Sequence, residues 1–167
     1  MALIVALGSV CIVQAQNANP FSTELKQSYT GIKNNLTRAA EKMPEENYGF
    51  KASDEVRPFG QLIAHVADSQ MRLCSAAKGE QKTPNAASKT SKADLVAALK
   101  ESFEYCDGAY DSLTDASSTQ MVTVFKGQRT KLSALWGNVS HDNEMYGTIA
   151  VYMRLKGVVP PSSEPRR

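Results

Sequence analysis

The sequence predicts an all-α protein built as a four-helix bundle, and three observations support this prediction. Apolar residues recur three and four positions apart in four long segments, the spacing that places them on one face of a helix. Proline, glycine and polar clusters separate these segments. With 167 residues and a hydrophobic content of 42%, the chain can bury one ordinary core, so a folded domain is expected rather than disorder.

The first two helices are bounded by proline and glycine. A helix is expected from just after Pro20 to Pro44, because a proline ring clashes with the preceding turn and lacks the N–H of an interior position. Pro58 suits the first turn of a second helix, and Gly79 is a natural terminator. His65 lies on the flank of this second helix, about 100° from the centre of its apolar face.

The third helix is expected to open at Ser91, whose hydroxyl can accept a hydrogen bond from the first turn in a capping box with Asp94. The segment that follows, residues 114–129, is mixed in character. We expect residues 121–125 to run extended over the bundle and residues 126–128 to turn, without forming a true sheet.

The fourth helix is expected from about Thr130 to Lys156, and it carries apolar residues on two nearly opposite sides. A helix that is apolar on both sides must bury both. It is therefore either central in the domain or in contact with a second subunit. Trp136 and Tyr152 are assigned to the core or to the dimer interface.

The N-terminus has the pattern of an export signal. An apolar run from Ala2 is followed by Val13-Gln14-Ala15, a cleavage site that resembles the A-x-A pattern, although no Lys or Arg precedes the run. The run is too short to span a bilayer, so no stable membrane insertion is expected. We expect an exported protein, periplasmic or extracellular, with a cytoplasmic location as the alternative. The predicted division is a signal peptide at 1–15, a short mature segment at 16–20, the bundle at 21–157 and a C-terminal tail at 158–167.

Charge and cysteine content narrow the function further. The formal net charge is +2 with no basic stripe, so nucleic-acid binding is not expected. Signal removal would take Cys11 and leave Cys74 and Cys106. If their helices are antiparallel neighbours, the two cysteines are offset by about 15 Å at 1.5 Å per residue, beyond the roughly 7 Å between Cα atoms that a disulfide tolerates. We expect two buried free thiols, with a disulfide as the alternative.

The two histidines of the chain, His65 and His141, lie on different predicted helices. A catalytic metal site usually takes three protein ligands and leaves a position open. His141 and Met145 are four residues apart and share one side of their helix, and His65 is the candidate ligand from a facing helix. The candidate metal site is therefore His65, His141 and Met145. Asp142 and Glu144 are expected to be a solvated or interface-flanking pair.

Three segments give the chain a resemblance to the DinB/YfiT-like family of metal-dependent enzymes. They are residues 56–66, which contain His65, residues 135–147, which run from Leu135-Trp136 through His141-Asp142-Asn143-Glu144, and residues 152–161. The resemblance covers most of the chain, from about Phe21 to Pro161. It implies a four-helix bundle, commonly dimeric, with zinc or nickel held by three histidines, and on this ground we expect a homodimer.

Two of these histidines correspond to His65 and His141, and the third corresponds to Met145, where this chain departs from the family pattern. The family's known activities include thiol-dependent transfer and isomerisation, in which the metal activates a thiol or water. A thioether is a poor ligand for zinc or nickel and prefers soft ions such as Cu(I).

The departure leaves three functions open. The first is a transferase or hydrolase for an unknown small molecule, with zinc or nickel held by the two histidines and by Glu144, Asp68 or water. The second is a metal-free bundle that serves as a binding or interaction module. The third is a soft-metal binder that uses the Met145 sulfur to hold copper.

Overall fold

The computed structural model describes residues 19–165. The predicted signal peptide, Cys11 and most of the segment 16–20 lie outside these residues. Within the described range the chain forms four long α-helices, one two-stranded hairpin and four short 3₁₀ turns. The all-α bundle predicted from the helical periodicity is confirmed. The helices are α1 Pro20–Lys42, α2 Phe59–Lys78, α3 Lys92–Asp111 and α4 Lys131–Leu155, and the strands are β1 Met121–Val124 and β2 Gly127–Thr130.

The helix ends agree with the local chemistry of the sequence. The Ser91 side chain accepts from the Asp94 N–H at the start of α3, and the Thr130 side chain accepts from the Ser133 N–H at the start of α4. Gly79 ends α2 in the left-handed conformation, with φ of 73°, which costs a residue without a Cβ little. No described helix is long and apolar enough to cross a membrane.

The hairpin corrects the prediction that residues 121–125 form no true sheet. β1 and β2 pair antiparallel, with Met121 opposite Thr130 and Val124 opposite Gly127. Val122 and Val124 are buried, whereas the other side chains of β1 are exposed. Two alternate apolar side chains are too short a pattern to stand out in the sequence, yet they suffice to hold a strand against the helices.

Contacts between side chains show that α2 and α3 run parallel. Gln70 donates to Ser102 at 3.3 Å, and one helical turn further along both helices Cys74 is bonded to Cys106. The chain returns from the end of α2 to the start of α3 through residues 79–91. This return crosses the bundle, and it is fixed where Asp68 accepts from the backbone N–H groups of residues 86 and 87, at 2.8 and 3.1 Å.

The parallel arrangement overturns the expectation of two free thiols. Cys74 and Cys106 form a disulfide with their Cα atoms 5.3 Å apart, and both residues are fully buried. The offset of about 15 Å was inferred for antiparallel helices at 1.5 Å per residue, and parallel helices bring the two cysteines level.

Helix α4 runs antiparallel to α2 and carries the candidate site. Its Asn138 lies beside Gln70, and its Tyr152 hydroxyl donates to the Arg57 carbonyl just before α2, at 2.8 Å. Tyr152 is buried as expected, but Trp136 is 58% exposed and is no part of the core of this chain.

The C-terminal tail is packed, because the Tyr146 hydroxyl accepts from the Ser162 N–H at 2.9 Å.

Candidate metal centre

The structure brings the two histidines of the chain together. His65 projects from the middle of α2 and His141 from the middle of α4, and their Nε2 atoms are 3.1 Å apart. The ring planes are inclined at 65°, with centroids 5.0 Å apart. Both side chains are partly exposed, so the pair lies at the edge of the core within reach of a solute.

The nitrogen separation fits a shared metal ion. Two nitrogens bound to one ion at about 2.0–2.1 Å, with an angle between the tetrahedral and the octahedral value, lie roughly 2.9–3.4 Å apart. The observed 3.1 Å falls inside this range. It is also an ordinary hydrogen-bond distance for a neutral pair in which one Nε2 donates and the other accepts. The same helix positions are therefore compatible with a pair that binds one metal ion and with a metal-free pair joined by a hydrogen bond.

The third position of the site has no strong ligand among the described residues. No group of three or more His, Cys, Asp or Glu side chains suited to a metal occurs within residues 19–165. Met145 is half-buried and packs against the core. Glu144 is exposed, and both carboxylate oxygens of Asp68 are occupied by backbone N–H groups. Neither acid completes the site as placed, which leaves the Met145 sulfur or an external ligand.

Asp142 is the site residue that sequence reasoning misplaced. It was expected to be solvated or at an interface, but it is fully buried. Its Oδ2 accepts from Asn138 Nδ2 at 3.3 Å, and its Oδ1 lies 3.5 Å from His141 Nδ1. A signal was available in the sequence: Val139, Tyr146 and Asp142 fall on one side of α4, which the structure buries against the bundle.

The surroundings of the site lower the pKa of His65 and raise that of Asp142. Burial lowers the pKa of His65, and the neighbouring His141, Arg57 and Arg72 lower it further, while Asp68 opposes them. Burial raises the pKa of Asp142 to about 6, against the opposing effect of His141. Near neutral pH the pair therefore offers a neutral His65 ring, the form that can bind a metal.

A polar network continues from Asp142 into the core. Asn138 Nδ2 also approaches Gln70 Oε1 and the Tyr110 hydroxyl, at 3.4 and 3.3 Å. Three buried atoms in this region have no hydrogen-bond partner within the described structure: Asn138 Oδ1, His141 Nδ1 and Asp142 Oδ1. Buried polar atoms are normally satisfied, so these three unpaired atoms distinguish the region behind His141 from the rest of the described core.

An open cleft of about 650 Å³ adjoins α2 and α4. Met145, Leu62, Gln61, Arg57, Thr148 and Tyr152 contribute to its walls. Gln61 precedes His65 by one helical turn, and Met145 follows His141 by one turn. Neither histidine is among the residues that line the cleft, which therefore begins about one helical turn from the pair and is large enough for a small molecule.

Comparison with known proteins identifies related chains. A family model described as the DinB superfamily matches residues 29–149. A DinB-like protein from Bacillus cereus is similar in structure, with a TM-score of 0.73 at 15% identity over 83% of this chain and 95% of that one. A DinB-like protein from Bacillus subtilis gives a TM-score of 0.67 at 18% identity, covering 86% and 96%.

A third similar structure is a mutant of a mycothiol-dependent maleylpyruvate isomerase. Its TM-score is 0.60 at 16% identity, and the match covers 74% of this chain and 60% of the isomerase. Identities this low establish a common fold and no common activity. No curated protein matches the chain.

Proposed function

Because the chain belongs to the DinB superfamily, we propose that it is a metal-dependent enzyme of the transferase or hydrolase type with a site altered at the third ligand. His65 and His141 hold a divalent ion, zinc or nickel, through their Nε2 atoms. Met145 stands where the third protein ligand would be, and water or substrate would supply the ligand that the site lacks. The substrate is a small molecule that enters from the adjoining cleft.

The observation that carries this proposal is the 3.1 Å between the two Nε2 atoms. Two imidazoles from separate helices approach at a distance that is compatible with a shared ion. A divalent ion supplies Lewis-acid chemistry and lowers the pKa of a bound water or thiol, giving a nucleophile at neutral pH. The two histidines would bind the ion and fix its position. The cleft wall next to Met145 would exclude part of the solvent.

Metal binding by purified protein tests the proposal. After reconstitution with zinc or nickel and removal of excess, elemental analysis should find about one ion per chain, and His65→Ala should abolish it. Met145→His should raise the affinity, since an imidazole replaces a thioether that binds these ions poorly. Met145→Leu is the matched control and should leave zinc or nickel affinity nearly unchanged. A parent protein that retains no metal after reconstitution would refute the proposal.

A metal-free binding module is a second candidate, and the absence of a three-ligand group within residues 19–165 favours it. In that case the histidine pair is held by the hydrogen bond between the Nε2 atoms, and the fold serves binding or interaction. This candidate predicts that Met145→His creates metal binding which the parent lacks. Tight zinc uptake by the parent would exclude it.

Copper binding is the third candidate, and it is favoured by the position of Met145 one turn from His141. A thioether and two imidazoles suit Cu(I) better than zinc. Competition with a Cu(I) chelator should then show preference for copper and a loss of that preference in Met145→Leu. Equal affinity for zinc and copper would reject this candidate.

We also propose that the protein is a homodimer through the outer side of α4. Trp136, Val151 and Leu155 are 58%, 53% and 59% exposed, and at about 100° per residue they fall on one third of the helix surface. They lie along one side of the helix, with Trp136 about 22 Å from Val151 at 1.5 Å per residue, and exposed large apolar side chains aligned on one side of a helix favour a contact with another chain. Light scattering should give twice the chain mass, and Val151→Lys should halve it. A monomeric parent at micromolar concentration would contradict the proposal.

Export is proposed on the N-terminal pattern and on the Cys74–Cys106 disulfide. Disulfides persist in oxidising compartments and are rare in the cytosol. Protein recovered from the periplasm or medium should begin at Gln16. Recovery of the uncut chain from the cytosol alone would reject export.

A further inference from the structure

We propose that Asp142 is a positioning residue that fixes the proton of the His141 ring at Nδ1, and that it thereby sets the direction of the hydrogen bond between the two histidines. In the metal-free protein, His65 Nε2–H donates and His141 Nε2 accepts. The chain of groups runs from the Asp142 carboxylate through His141 to His65.

The argument begins with what the two faces of His141 contact. Its Nε2 faces His65 Nε2 at 3.1 Å, and its Nδ1 faces Asp142 Oδ1 at 3.5 Å. Within the described residues both Nδ1 and Oδ1 are buried and lack a hydrogen-bond partner. The two atoms lie 3.5 Å apart, slightly beyond the length of a good hydrogen bond, and we take each as the partner of the other.

The chemistry of the carboxylate decides which atom carries the proton. An ionised Asp can only accept, so Nδ1 of His141 must donate if this buried contact is to be satisfied. The other oxygen, Oδ2, already accepts from Asn138 at 3.3 Å, which orients the carboxylate. A neutral imidazole with its proton at Nδ1 has its lone pair at Nε2. Because two Nε2 atoms at 3.1 Å share one proton, that proton belongs to His65.

Because the hydrogen bond runs from His65 to His141, metal binding requires different changes of the two rings, a consequence that rests on the proposed function. His141 already presents a lone pair at Nε2. His65 must lose its Nε2 proton and gain one at Nδ1, a change of tautomer that leaves the ring neutral. A carboxylate behind a metal-binding imidazole raises the basicity of the ligand, and its removal typically lowers metal affinity about 10- to 100-fold.

Nitrogen NMR of the metal-free protein at about pH 8, where model imidazoles are neutral, tests the proposal without any metal. Long-range proton–nitrogen correlations should show His141 protonated at Nδ1 and His65 protonated at Nε2. The opposite assignment, with His141 protonated at Nε2, would overturn the proposal even if the protein binds zinc tightly.

Asp142→Leu provides the second test, with Asn138→Leu as the matched control. Both substitutions remove the hydrogen bond between residues 138 and 142, but only the first removes the acceptor that faces His141. Asp142→Leu should give His141 as a mixture of tautomers, whereas Asn138→Leu should leave the Nδ1 form. Equal spectra for the two variants would overturn the proposal.

Zinc addition to the parent separates this inference from the proposed function. On binding, the His65 proton should move from Nε2 to Nδ1 while the His141 signals keep the Nδ1–H pattern, and Asp142→Leu should weaken zinc binding about tenfold or more. If no zinc binds while the metal-free tautomers are as stated, the proposed function fails and the positioning role of Asp142 stands.

Discussion

Removal of the disulfide is expected to cost the protein a large part of its stability. The bond joins residues separated by 32 positions. In the chain-entropy model, closing a loop of this length removes about 12 cal/mol/K from the unfolded ensemble, which is roughly 4 kcal/mol at 25 °C. Typical domains are stable by only about 5–15 kcal/mol, so Cys74→Ala/Cys106→Ala should approach or cross the threshold of folding at 37 °C.

The assay is urea unfolding of protein that lacks residues 1–15, so that Cys74 and Cys106 are the only cysteines. The double variant and the parent are compared with and without reductant. We expect the midpoint to fall in the variant, and reductant to destabilise the parent alone. The control is a thiol count in denaturant without reductant, which should give zero for the parent. A count of two thiols would refute the bond between Cys74 and Cys106, and a loss below about 1 kcal/mol, lower than the usual range for a native disulfide, would refute the stabilisation worked out from the loop length.

Three further predictions concern single side chains. Burial raises the pKa of Asp142 to about 6, above the value of about 3.9 in an unfolded chain. The folded state therefore holds this proton more tightly, and the contribution of Asp142 to the free energy of unfolding falls as pH rises from about 4 to 6 and is constant above. Between pH 4 and 7, the free energy of unfolding of metal-free Asp142→Asn should rise relative to that of the parent by about 3 kcal/mol, at about 1.4 kcal/mol per pKa unit. A difference between variant and parent that is the same at every pH, measured by urea unfolding, would contradict this. Asp68→Ala should cost about 1–2 kcal/mol, because two N–H groups of the crossing segment lose their acceptor, and it should leave zinc affinity in a competition assay unchanged; loss of zinc binding would instead make Asp68 a ligand. Tyr146→Phe removes the acceptor of the Ser162 N–H and should increase hydrogen exchange at residues 160–164, whereas unchanged exchange would show that this contact does not hold the tail.

The helices could be predicted from the sequence because each carries its own signals. Periodic apolar residues mark the buried face, and Ser91, Gly79 and Thr130 act at the ends through local hydrogen bonds or backbone conformation. Such signals depend on neighbours within one or two turns. The direction of one helix relative to another carries no comparable signal. The polar segment 79–91 fits a short loop as well as a crossing connection, since 13 extended residues can span about 43 Å.

The fate of the two cysteines depended on that missing direction. The sequence places each cysteine correctly within its helix, but antiparallel helices would leave the two cysteines about 15 Å apart along the helix axis. With α2 and α3 parallel, Gln70 meets Ser102 and Cys74 meets Cys106 at one regular offset. One long crossover connection is a known variation of the four-helix bundle, and in this chain it determines both the disulfide and the cap that Asp68 places on the crossing segment.

The histidine pair follows from the same topology. Helix α4 is antiparallel to α2, so that Asn138 meets Gln70, His141 meets His65, and Tyr152 reaches Arg57. Each step forward on α4 is a step back on α2. Met145, one turn beyond His141, therefore lies level with the turn before His65, where both helices border the cleft.

The bundle thus supplies two nitrogens by its register alone, whatever residue occupies position 145. The meeting of the two imidazoles is consequently a property of the fold, whereas the strength and identity of any bound ion depend on two side chains that the fold does not dictate. One is Met145, which faces the open side and decides between hard and soft ions. The other is Asp142, which is buried behind His141 and sets where the ring holds its proton. Met145→His and Asp142→Leu should change zinc affinity while leaving the distance between the histidines intact, and loss of that distance in either variant would show that the site, not the helix register, holds the pair together.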